Sequence, residues 1–163
     1  MSTDQQWSRA LFEFARSSPH TRDVAIFCAS HLIWLMAGFA IGQTYPVVYT
    51  VVSIVFLPWG ICLLLSEWIH RPRPFETEAY RPLIHLFVRT PSFPSSHSTL
   101  AFAFVAAFIH DVTVWPVLLV AAICVALGRV AVGVHYVSDV VVGAVIGIGL
   151  GYAIRVAAFV FLT

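Results

Sequence analysis

Three short polar clusters interrupt an otherwise apolar chain of 163 residues. The first is Arg71-Pro72-Arg73-Pro74-Phe75, the second Pro94-Ser95-Ser96-His97, and the third Gly128-Arg129 followed by His135 and Asp139. Arginine offers a planar fork of donors that matches the oxygens of phosphate or carboxylate. Ser95 and Ser96 stand behind Pro94 where a helix opens, and a helix N-terminus presents free N–H groups and the positive end of a dipole to an anion. Of two histidines, one can attack phosphorus while the other protonates the leaving oxygen. Asp139 follows His135 by one helical turn and could hold its tautomer. Together these residue types suit phosphoryl transfer, in which a protein contributes mainly positioning and charge stabilisation. Taken singly, His97, Arg129, His135 and Asp139 read equally well as interfacial anchors or a structural ion pair.

The elements that carry these clusters must lie in lipid. Apolar residues make up 60% of the chain and charged residues only 10%, with a mean hydropathy of +0.88. Soluble domains run at about 45–50% apolar and about 25% charged, and a chain this small has too little interior to hide such an excess. That composition excludes a soluble enzyme, a disordered regulator and a nucleic-acid binder. Crossings are expected near 24–42, 46–66, 96–110, 112–133 and 139–161, with turns at Gln43-Thr44-Tyr45 and His110-Asp111. Residues 1–23 lack the form of a signal peptide. Trp7, Leu11 and Phe14 recur there at helical spacing, which suits either a helix lying in the interface or a frayed tail. Gly143, Gly147 and Gly151 form a smooth stripe that admits a close helix neighbour. The fold class expected is all-α, a polytopic transmembrane bundle in one domain. Cys28, Cys62 and Cys124 stand singly in apolar runs and read as small buried hydrophobes.

Counting crossings shows that the clusters can meet. The third crossing leaves the face on which it begins and the fourth returns to it, so His97 and His135 share one side of the membrane. The first cluster joins them, because residues 67–94 form a single polar connection, broken by three X-Pro steps that disfavour continuous helix. All nine basic residues are Arg, and four of them (Arg71, Arg73, Arg81, Arg89) lie in this connection.

The stretches RPRPF, SFPSSH and GRVAVGVHYVSDVVVG resemble, in order and interval, the three signature motifs of the type 2 phosphatidic acid phosphatase (PAP2) family. The resemblance spans roughly residues 66–143 and is strongest to the compact bacterial undecaprenyl-diphosphate phosphatase branch. It implies a vanadium haloperoxidase-like helical core, with His135 as the nucleophile that forms a phosphohistidine, Asp139 as its orienting carboxylate and His97 as the general acid. It implies phosphate binding by Arg73, Ser95, Ser96 and Arg129, and Arg71, or Arg81 and Arg89 from the connection, could add the phosphate contact that the family's first-motif Lys supplies. Two positions depart from the family pattern: Ser66 stands where a Lys is usual, and Gly128 where a Ser is usual. No metal or other cofactor is implied.

The expected partners are a lipid phosphate substrate and membrane lipids. The resemblance points to undecaprenyl diphosphate, with phosphatidylglycerol phosphate, phosphatidic acid and lipid A as alternative substrates. A reading of another class is a non-catalytic module that binds an anionic lipid, and a small channel or transporter is a further one. His70 and His85 could touch a second phosphate, whereas His31 and His110 read as structural. Glu67 could pair with a loop Arg, Glu76 and Glu78 read as solvated, and Arg155 as reaching for headgroups. The arginine asymmetry would put the site in the cytoplasm. The resemblance implies the outer face of a bacterial inner membrane, and that face is the expectation here.

Overall fold

The structure, a computed structural model, describes residues 1–43, 52–86 and 90–162. Helix α1 (Thr3–Arg16) is followed by α2 (Pro19–Ser30) and α3 (Leu32–Gln43). A π-helical turn, Val52–Phe56, leads into α4 (Leu57–Ile69), and α5 (Pro74–Thr77) is a single turn. The remaining helices are α6 (Ser96–Ala107), α7 (Trp115–Ala131) and α8 (Val137–Leu162). The starts of these helices follow from local chemistry. Ser2 and Gln5 form a reciprocal capping box on α1, Ser18 caps α2 ahead of Pro19, and Ser95 caps α6.

Among the described residues, three stretches are long and apolar enough to cross a bilayer: Pro19–Ala40, Ile54–Thr77 and Val137–Val160. The first opens at Pro19 rather than at Val24, as one span of α2 and α3 interrupted at His31. Helix α6 has 12 residues, or about 18 Å, against a hydrocarbon core of about 30 Å. It is thus shorter than a full crossing by itself, and the stretch expected to cross over 96–110 is α-helical as far as Ala107. Helix α7 has 17 residues, about 26 Å, and comes closer. The expected turn at Thr44-Tyr45 and the start of the second crossing at residue 46 fall outside the described residues.

Helix α6 is short because it is enclosed. Ala101, Ala103, Phe104, Val105 and Ala106 are all buried, so its backbone faces protein on most sides. Its closest partner is α8, along the glycine stripe. A Cβ at Gly143 would lie 2.8 Å from the Ser95 carbonyl, and one at Gly147 or Gly151 would collide with the carbonyl of Thr99 or Ala103. Only hydrogen at these positions lets the two backbones approach, and that contact anchors the start of α6 beside the start of α8. The opposite face of α8 is an outward apolar row, Val141, Val145, Ile148, Tyr152 and Val156. Such a row is stable against lipid tails and costly against water. The protein is a multi-pass helical membrane protein.

Arg155 does not reach for headgroups. Its Nη1 donates to the carbonyl of Ala107 at 2.8 Å and closes the C-terminus of α6. Nor is α1 a frayed tail. Asp4, Ser8, Phe12 and Ala15 turn inward and Phe12 stacks on Tyr80 at 4.2 Å, while Trp7 and Phe14 point outward.

Candidate active site

Residues 70–86 and 90–95 lie over one end of the bundle, pinned chiefly by backbone hydrogen bonds. Ser92 N–H donates to the Arg71 carbonyl at 2.8 Å, and Leu83 N–H to that of Val132 at 3.0 Å. Tyr80 donates through its hydroxyl to the Gly133 carbonyl at 3.2 Å. Gly133 has φ +81° and is crowded by Phe12 and Tyr80, so a side chain would find neither the backbone conformation nor the space there. This turn sets the approach to His135.

Arg73 is 5% exposed and uses its fork on the local backbone. Nε donates to the Thr90 carbonyl at 2.8 Å, Nη1 to the Val134 carbonyl at 2.9 Å and Nη2 to Thr90 Oγ1 at 3.1 Å. A guanidinium has five N–H donors, so two stay available for a ligand.

His135 is 3% exposed, and its Nδ1 lies 2.7 Å from the Ser92 carbonyl. A carbonyl only accepts, so Nδ1 carries the proton and a neutral ring has its lone pair on Nε2. Burial first, then the nearby Arg129 and Arg73, hold its pKa well below the usual 6.5 and favour that neutral form. Asp139 Oδ2 is 3.6 Å from Nδ1, beyond hydrogen-bond reach. Asp139 instead accepts from Arg71 Nη1 at 2.6 Å and from Tyr136 N–H at 2.8 Å. The tautomer is thus set by Ser92, with the carboxylate behind it. Ser92 carries no signal for this in sequence, because the group at work is a main-chain carbonyl.

Arg129 is 5% exposed and among the described residues has no carboxylate partner. Among the described residues its one hydrogen bond runs from Nη1 to the Ala29 carbonyl at 3.2 Å, in the last turn of α2, where carbonyls lack helical partners. Its Nε is buried with no partner among the described residues. A buried cation left in this state is costly unless an anion joins it.

His97, His135, Arg73, Arg129 and Ser96 line a single cavity of about 360 Å³, together with Thr90, His85, Ser30, Trp34, Ile84 and Leu86. No carboxylate is among them. The N–H groups of Ser96 and His97 open α6 without a partner among the described residues, whereas that of Ser95 donates to the Asp139 carbonyl at 3.2 Å. Ser95 and Asp139 are fully buried behind the cavity, and Arg71 is not among its lining residues. His85 reaches the cavity and His70 does not; Arg89 lies outside the described residues. Glu67 sits 4.0 Å from His70, Glu76 accepts from Arg73 N–H at 2.8 Å, and Glu78 pairs with Arg9 at 3.5 Å. Glu76 is exposed to solvent, as expected, and also holds the loop, whereas Glu78 is partly buried in its pair with Arg9. No cluster of three His, Cys, Asp or Glu with metal-ligand geometry occurs among the described residues.

Such an arrangement can hold a tetrahedral oxyanion between two guanidinium groups and a helix N-terminus, with two imidazoles beside it. A family model of the PAP2 superfamily matches residues 43–161, which include all three clusters. The chain belongs to the PAP2 superfamily. A decaprenylphosphoryl-5-phosphoribose phosphatase of Mycobacterium tuberculosis (strain H37Rv) is 36% identical to this PAP2 chain over 99 residues, 59% of the chain and 52% of that protein. The Escherichia coli (strain K12) protein YbjG, named for undecaprenyl-diphosphatase activity, is 30% identical over 145 residues, 80% of the chain and 70% of that protein. The chain thus spans about half the length of the mycobacterial relative. Among solved structures, a transmembrane PAP2-type phosphatidylglycerolphosphate phosphatase of Bacillus subtilis superposes with a TM-score of 0.74 at 23% identity, over 97% of this chain and 85% of that one. The helical architecture is therefore that of transmembrane PAP2 proteins.

Both departures from the PAP2 pattern have a local setting. Gly128 packs on α2, where a Cβ would lie 2.8 Å from Ala29 N and 2.9 Å from Cys28 Cβ, so a serine would push α7 off α2. Ser66 is buried and bonds back to the Leu63 carbonyl at 2.8 Å. A void of only about 20 Å³ separates it from Arg73, Ser96 and His135, room for about one water.

Proposed function

We propose that this PAP2 protein is a lipid phosphatase that hydrolyses a polyprenyl diphosphate, undecaprenyl diphosphate in the first instance, to the monophosphate and inorganic phosphate. Arg73, Arg129 and the N–H groups of Ser96 and His97 hold the non-bridging oxygens of the terminal phosphate. His135 Nε2 attacks phosphorus in line with the bridging oxygen. The P–O bond breaks, a phosphohistidine forms, and His97, protonated as the anion binds, gives its proton to the departing lipid monophosphate. A water then enters, His97 takes its proton, and the hydroxide displaces the histidine to release phosphate. The Ser92 carbonyl holds the ring through these steps, and the Asp139 carboxylate 3.6 Å behind it offsets the positive charge of the phosphohistidine.

The observation that carries this reading is Arg129, a buried guanidinium whose Nε has no partner among the described residues, beside two histidines in a cavity that no described carboxylate lines. The polyprenyl substrate is supported by the names of the two relatives, both of which refer to polyprenyl phosphates. The name of a further relative, phosphatidylglycerophosphatase B of Bacillus subtilis (strain 168), 34% identical over 104 residues, supports phosphatidylglycerol phosphate as the second reading. Phosphate release by the purified protein in detergent, from polyprenyl diphosphate, phosphatidylglycerol phosphate and phosphatidate side by side, tests both. The diphosphate is expected to turn over fastest. Release from none of the three would leave the anionic-lipid binding reading in its place.

The location proposed is a bacterial inner membrane with the site facing outward. Labelling an Arg81→Cys variant, with the three native cysteines replaced, by a membrane-impermeant thiol reagent on intact cells tests this. Labelling only after permeabilisation would place the site inside.

A further inference from the structure

The reaction steps leave Arg71 unused, and its contacts lead away from the cavity to α1. Nη1 donates to Asp139 Oδ1 at 2.6 Å and to Ser138 Oγ at 2.7 Å, while Nη2 donates to Asp4 Oδ2 at 2.8 Å. The guanidinium lies 4.1 Å from the centre of the Tyr136 ring. Asp4 does more than hold Arg71. Its Oδ1 accepts from Ser138 N–H at 3.0 Å, and its Oδ2 also accepts from the Ser138 hydroxyl. One turn on, Ser8 Oγ accepts from Val137 N–H at 3.0 Å. The first two N–H groups of α8, those of Val137 and Ser138, are therefore capped by α1, from the far end of the sequence, while that of Asp139 donates to the Tyr136 carbonyl at 3.1 Å. That first turn of α8 carries Asp139, whose carboxylate stands 3.6 Å from His135.

We propose that Asp4 is a positioning residue for the reaction at His135, acting through Arg71 and Asp139, so that α1 sets the geometry of the nucleophile. The proposal rests on the phosphohistidine reading given above. Asp4 keeps Arg71 turned onto Asp139, and Arg71 in turn offsets the negative charge that Asp139 directs at His135. Among the described residues, the other charged or titratable groups around His135 are Arg73 and His85 from the connection, His97 from α6 and Arg129 from α7, with Tyr136 next to it in the chain. Burial, Arg129 and Arg73 depress the His135 pKa most, and Arg71 adds to them. Releasing Arg71 leaves the Asp139 charge less compensated, favours the imidazolium, and so moves the acid limb of the rate profile to higher pH.

Asp4→Asn is the variant of choice, because Asn still caps α8 through Oδ1 but carries no charge for Arg71. Phosphate release from polyprenyl diphosphate by wild type, His135→Ala and Asp4→Asn is compared, with KM, kcat and pH dependence for each. Asp4→Asn is expected to lower kcat about tenfold, the size of one charge-assisted hydrogen bond, with KM within about twofold and the acid limb shifted upward. Loss of packing alone would lower the melting temperature without moving the limb. Wild-type kcat and an unmoved limb in Asp4→Asn would overturn the proposal, and so would effects of Asp4→Asn and Arg71→Gln that simply add in the double variant. Should Asp4→Asn fail to fold, Arg71→Gln is held to the same kcat and pH criteria. Inactive wild type, or active His135→Ala, would instead count against the phosphohistidine reading itself.

Discussion

A histidine enclosed with cations takes up a proton only with difficulty, and His135 is in that position. Its ring is buried against Arg129 and Arg73, and its pKa lies well below 6.5. In the folded protein the nucleophile thus stays neutral as the medium is acidified through pH 6.5, and the acid limb that it imposes on kcat/KM is expected below that value. An unfolded chain binds the proton at about 6.5, so in this range the unfolded state holds more protons and this group's contribution to stability falls as pH is lowered. A pH profile of the solubilised enzyme checks the first point, and a limb at or above 6.5 would remove the case for a neutral ring. Arg129 invites the opposite kind of test. A buried cation with no acid beside it serves binding at a cost in stability, so Arg129→Met is expected to raise the melting temperature. The same change should reduce kcat/KM about a hundredfold or more and abolish inhibition by vanadate. A variant that melts lower, or that stays sensitive to vanadate, contradicts this account of Arg129.

At the scale of elements, the site depends on how closely α6 approaches α8. Gly147 faces the Thr99 backbone with no room for a Cβ, whereas nothing lies within 4 Å of a Cβ at Gly149. Gly147→Val is therefore expected to separate the two helices and destabilise the protein by about 1–3 kcal/mol, the usual cost of overpacking. Gly149→Ala should be neutral or stabilising by up to about 1 kcal/mol through helix propensity. Thermal unfolding in detergent measures both. Phosphate release should fall with Gly147→Val alone, since the start of α6 carries Ser96 and His97. Equal melting temperatures for the two variants would show that the stripe is not a close contact.

For the molecule as a whole, the notable asymmetry is that the cationic cavity has an apolar edge. Trp34 is 72% exposed and lines the cavity with Ile84 and Leu86, while most of the helical surface around it suits lipid. A substrate whose tail stays in the bilayer can present its headgroup at this edge. Turnover is then expected to depend on the tail: kcat/KM should fall at least about tenfold from a polyprenyl diphosphate to a short, water-soluble diphosphate ester, as buried methylenes are lost. Equal kcat/KM for the two would mean that the tail contributes nothing to recognition.

Composition settled much of this in advance. An apolar share of 60% in so short a chain forces helices in lipid, since backbone polar groups there must be satisfied within the segment. The order of the three clusters, with the parity of the helices between them, was enough to bring His97, His135, Arg73 and Arg129 to one end. The glycine stripe was legible for the same reason, because a four-residue period is a property of one helix. Other features depend on atoms that meet only after folding. The Ser92 carbonyl at His135 is a backbone group without a residue signature. The turning of Arg71 away from the cavity toward Asp4, and the shortness of α6, reflect neighbours distant in sequence. Periodicity reports what one element presents, whereas only tertiary packing decides which groups lie across from it, and in this protein that packing sets the tautomer and charge of the nucleophile.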